Sequence, residues 1–79
     1  MAKIQTSGLL LEIQQHVRWK GPLTISWRTI EAFLAPMKVK DAPEVIADWA
    51  ASYMIAVDYT RENDQPNGPI VSAYFSMAK

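Results

Sequence analysis

The spacing of apolar residues changes once along this chain, and that change constrains the fold more than any other feature. Up to Tyr53 the apolar side chains recur every three or four positions, whereas from Ile55 they recur every second one, so helices give way to strands. Ile55, Val57 and Tyr59 share one face of a first strand, with Ala56, Asp58 and Thr60 on the other. Residues 62–69 contain Asn-Asp and Pro-Asn-Gly-Pro and no large apolar side chain, which marks a turn. Residues 70–77 then return as a second strand, Val71, Ala73, Phe75 and Met77 alternating with Ser72, Tyr74 and Ser76. The chain therefore ends in a hairpin with a moderately long loop.

Three helices precede it. Thr6 or Ser7 is the expected cap of the first, which runs to about Trp19 with Leu10, Ile13 and Val17 on one face. Lys20-Gly21-Pro22 stops it, because glycine accepts a left-handed conformation and proline cannot continue a helix. Leu23-Thr24-Ile25 forms a very short extended segment. Ser26 caps a second helix of about nine residues, whose stripe is Ile30, Phe33 and Leu34 and which ends before Pro36. Asp41, Pro43 and Glu44 read as a side-chain N-cap, an early proline and an N3 carboxylate. They start a third helix with Ile46, Trp49, Ala50 and Tyr53 on its apolar face and Glu44, Ala47, Asp48 and Ala51 opposite.

With 79 residues, 49% of them hydrophobic and 20% charged, the chain is expected to form a single α+β domain over 1–79 around one core. It has no cysteine, so neither a disulfide nor a thiolate metal site supports the fold. The longest apolar run, Leu9-Leu10-Leu11, is too short for a membrane span, and a cytoplasmic protein is the expectation. Eight basic residues balance eight acidic ones. Their distribution is uneven: Arg18, Lys20, Arg28, Lys38 and Lys40 lie in the first half, and Asp41, Glu44, Asp48, Asp58, Glu62 and Asp64 in the second.

The order helix, short extended segment, helix, connector, capped helix and hairpin, across residues 7–77, resembles a winged-helix domain. This is a helix-turn-helix variant in which the hairpin is the wing. The stretches that carry the resemblance are Leu23-Thr24-Ile25-Ser26-Trp27-Arg28-Thr29-Ile30 and Tyr53-Met54-Ile55-Ala56-Val57-Asp58-Tyr59. The resemblance implies a duplex-DNA-binding protein, an accessory transcription regulator, with phosphate contacts from Arg28, Lys38, Lys40 and Arg61. The third helix would then enter the major groove. Between Asp41 and Tyr53, however, it offers no Arg, Lys, Asn or Gln, the residues that read guanine and adenine best. The competing expectation is a protein-protein interaction module of the same fold, an adaptor or inhibitor, using Trp27, Glu44 and Asp48 as its surface.

Enzymatic chemistry has little support in the residues. His16 is the only histidine and lacks cysteine partners, so it reads as a helix-edge side chain, and no metal or cofactor is expected. Ser26, with no glycine-rich turn around it, reads as a helix cap rather than a nucleophile. Asp58, Glu62 and Asp64 lack the spacing of a calcium loop, and Gly8, Gly21 and Gly68 are too scattered to cradle a phosphate. Among the aromatics, Trp19, Trp27, Trp49, Tyr53, Tyr59, Tyr74 and Phe75 read mainly as core, with stacking on single-stranded nucleic acid or anchoring of a protein partner as the functional alternatives. Trp27, off the second helix's stripe, is expected to be exposed. The second hairpin strand, with no charge to guard it, is expected at a sheet edge, which would make a homodimer plausible.

Overall fold

The computed structural model describes residues 6–78 and is α+β, as its sequence periods require. In chain order it comprises α1 (Leu9–Trp19), β1 (Leu23–Ser26), α2 (Trp27–Leu34), a 3-10 turn (Ala35–Met37) and α3 (Ala42–Ser52). There follow β2 (Ile55–Arg61), a second 3-10 turn (Glu62–Asp64) and β3 (Ile70–Met77). The strands form one antiparallel sheet ordered β1-β3-β2. Among the described residues, no helix is long and apolar enough to cross a membrane.

The sheet order corrects one expectation. β3 is the central strand, with Leu23 opposite Phe75 and Val57 opposite the same Phe75, so both of its edges are hydrogen-bonded. The free edges belong to β1 and β2. The reason is long-range: Leu23-Thr24-Ile25 needs a partner, and the returning strand offers its unpaired side. One face of the sheet packs under the helices, with Ile55, Ala73 and Phe75 buried. They meet Leu10, Ile13 and Val17 of α1, Ile30 and Leu34 of α2, and Ile46, Trp49 and Ala50 of α3. Val71 and Met77 have the parity of Phe75 but lie at the strand ends and are exposed.

The helix starts depart from their expected caps in two of three cases. At α1 the N-cap is Gly8, at φ 52° and ψ −124°, with no side-chain cap. Glycine alone adopts that conformation readily, and a Cβ there would lie 2.8 Å from Phe33 Cε1. Ser7 contributes only its carbonyl, which accepts from the Leu10 N–H at 3.1 Å. Thr6 ties this segment to α3 instead: its hydroxyl accepts from Trp49 Nε1 at 2.8 Å and donates to Tyr53 Oη at 2.7 Å. That contact holds Tyr53 at the C-cap of α3, 40% exposed rather than in the core. α1 stops as its sequence predicts, Gly21 taking φ 113° and donating its N–H to the His16 carbonyl.

Candidate nucleic-acid interface

α2 begins with the cap its sequence announces. Ser26 is extended at φ −62° and ψ 138°, and its hydroxyl accepts from the Thr29 N–H at 3.4 Å. The helix has no acidic residue in its first turn, so its positive dipole end is not neutralised locally. Arg28, the second helical residue, is exposed there. A guanidinium beside free helix N–H groups is chemically suited to a phosphate oxygen. Trp27, one position earlier, is a correction: it is buried at 7% exposure, with its ring edge-on to Tyr59 at 5.4 Å between centroids. It turns inward because Tyr59 on β2 supplies a partner that α2's own stripe does not reveal, so it offers no surface to a partner protein.

The connector from α2 to α3 is a 3-10 turn followed by Lys38 in a left-handed conformation, φ 51°. Val39 packs against the core, while Lys38 and Lys40 on either side of it are exposed. The apolar residue thus anchors the turn and leaves two ammonium groups outward. α3 then presents Glu44, Asp48 and Ala51 to solvent with Ala47 half-buried. This face carries carboxylates and methyl groups and no base-reading donor.

Asp41 occupies the N-cap position of α3, but it is left-handed, φ 53° and ψ 52°, and its side chain makes no cap bond, contrary to the expected capping box. A side chain caps from an extended backbone, and the tight connector denies Asp41 that conformation. The first turn is fixed by other means. The Asp41 carbonyl accepts from Glu44 and Val45, and the Tyr59 hydroxyl donates to the Pro43 carbonyl. Burial pushes the Tyr59 phenol up to about 12, against the pull of the nearby Arg61 charge.

Arg61, at the base of the hairpin loop, is half-buried and donates from Nη1 to the Gly68 carbonyl at 2.8 Å. It braces the loop rather than reaching from it, which the sequence position alone did not disclose. The loop itself bears Glu62 and Asp64, exposed anions at the tip that a wing would bring to a phosphate backbone. His16 is half-buried with Nδ1 3.2 Å from the Gly21 carbonyl, closing the end of α1. Among the described residues no group of His, Asp and Glu is assembled to hold a metal ion. The structure therefore brings Lys38 and Lys40 together on one turn, sets Arg28 at the far end of α2, and places Arg61 on a different element. Trp19, expected with the core aromatics, is a correction: it is left bare on α1, at a position off the Leu10, Ile13, Val17 stripe and between two cations, and Tyr74 is exposed as well. No protein-family model, curated protein or solved structure matches the chain.

Proposed function

We propose that this domain is a winged-helix-like DNA-binding protein, an accessory regulator that grips the phosphate backbone and reads little sequence. The observation that carries the reading is the set of exposed cations on α2 and on the connector from it to α3. Arg28 stands at a helix start free of acidic residues, and Lys38 and Lys40 project from the turn into α3. The element order supports the winged-helix resemblance. The anionic outer face of α3 argues against base readout and in favour of backbone contact alone.

Titration of a labelled duplex at several salt concentrations tests this. Three phosphate contacts give a log–log salt slope of about −2.7, so affinity falls about 40-fold between roughly 50 and 200 mM salt. Replacing Lys38 and Lys40 together flattens the slope by about two. Scrambling the duplex sequence changes little. Absence of binding at low salt overturns the reading and favours the second one, a protein-interaction module, for which Glu44 and Asp48 on the exposed face of α3 are the supporting observation.

A further inference from the structure

Of the three tryptophans, Trp27 and Trp49 are packed at 7% and 5% exposure, while Trp19 has 76% of its surface open. It is the last residue of α1, on the side away from Leu10, Ile13 and Val17. Both of its chain neighbours are cations. Arg18 holds its guanidinium 5.9 Å from the centre of the indole ring, and exposed Lys20 is the C-cap of the helix. Positive charge at a helix C-terminus complements the dipole, which explains the cations. It does not explain a large aromatic ring set bare between them, since an indole in water forgoes a large apolar burial.

Charge complementarity calls for an anionic occupant, and the shape of the patch chooses among such occupants. Leu11 and Trp19, two turns apart, share a shallow groove with Glu12, Gln15, His16 and Lys20, and two apolar side chains at that separation are fewer than the anchors by which a partner helix docks. With the Arg18 guanidinium over one face of the ring, the other face is left for a single nucleobase, whose flanking phosphates Arg18 and Lys20 can meet. We propose that Trp19, with Arg18 and Lys20, is a stacking site for an unpaired base of single-stranded nucleic acid. This inference rests on the nucleic-acid reading above and extends it: the domain then engages a duplex through α2 and its turn, and an adjoining single strand through the end of α1.

Intrinsic fluorescence reports the site, because Trp19 is the tryptophan accessible to a quencher. An oligothymidylate of about ten nucleotides and a blunt duplex, each end-labelled so that anisotropy also reads binding by variants that lack the reporting ring, are titrated separately into wild-type protein, Trp19→Ala and Trp19→Phe. The expected result is saturable quenching of the wild type by the oligothymidylate. Trp19→Ala should weaken that binding about ten-fold or more, and Trp19→Phe should retain most of it. Duplex affinity should be unchanged in both variants. Since Trp19 is exposed, both variants are expected to fold, which circular dichroism checks. Absence of quenching, or equal oligothymidylate binding by Trp19→Ala, overturns the stacking site and leaves the duplex reading standing. Oligothymidylate binding without duplex binding overturns the duplex reading and leaves the stacking site. A dimer that dissociates on Trp19→Ala, seen by sedimentation, overturns the stacking site by making the ring a contact between two copies.

Discussion

Helices α2 and α3 each start at a residue whose side chain is a good cap, Ser26 and Asp41, and only Ser26 acts as one. The difference lies in the backbone: Ser26 is extended and its hydroxyl reaches the Thr29 N–H, whereas Asp41 is left-handed and its carboxylate makes no cap bond. The two starts also differ in charge, Arg28 with no acid at one and Glu44 at the other. They are joined through a third element. Trp27 at the start of α2 packs on Tyr59, and the Tyr59 hydroxyl holds Pro43 at the start of α3. A cap motif therefore reports that a helix begins, and the chain leading into it decides what holds that beginning.

The largest effect should come from removing the shared anchor. Trp27→Ala is expected to cost about 3 to 5 kcal/mol, because it empties a packed site and takes away Tyr59's edge-on partner. Denaturant titration measures it, and a loss below about 1 kcal/mol would show that the two helix starts are not coupled through this ring.

Tyr59→Phe isolates the start of α3. Leaving the Pro43 carbonyl without its donor should cost about 0.5 to 1.5 kcal/mol. The phenol also predicts a pH dependence. Its folded pKa, about 12, lies above the ordinary value of 10.0. Above pH 10 the unfolded chain loses the phenolic proton while the folded one keeps it, so this contribution to stability is whole below pH 10 and is lost as pH rises towards 12. Urea midpoints at pH 9 and pH 11 should diverge in the wild type and less so in Tyr59→Phe; equal divergence would remove Tyr59 from the alkaline transition.

Ser26→Ala tests the start of α2. The cap bond is long, 3.4 Å, which places the expected cost at the low end for a lost cap, about 0.5 to 1 kcal/mol. An unchanged midpoint would mean that buried Trp27 alone sets where α2 begins.

What was legible in the sequence was local. The three helices, the hairpin, the Gly21 stop and the Ser26 cap follow from periodicity and from neighbours a few positions away. The misread features depend on distant parts of the chain. β3 is central because β1, some fifty residues earlier in the register Leu23 to Phe75, pairs with it. Trp27 is buried because Tyr59 meets it, and Thr6 serves Trp49 and Tyr53 rather than α1. Of the candidate interface, the exposure of Arg28, Lys38 and Lys40 agrees with their polar context, while the engagement of Arg61 with Gly68 depends on how the loop closes.

The smallest effect, and the one with a telling sign, is expected at Asp41. A left-handed φ of 53° strains any residue with a Cβ, although Asp tolerates it better than most. Glycine removes that strain, and against the gain stand the looser unfolded chain and the loss of a negative charge near the positive end of α3. These terms nearly cancel, so Asp41→Gly should fall between no change and a gain of about 0.5 kcal/mol. Were the carboxylate capping the helix, the same substitution would lose a few tenths of a kcal/mol, as Ser26→Gly is expected to do. Measuring Ser26→Gly and Asp41→Gly side by side therefore compares the two helix starts by sign rather than by size. If both lose stability equally, α3 is capped by its aspartate and the contrast between the two starts is gone.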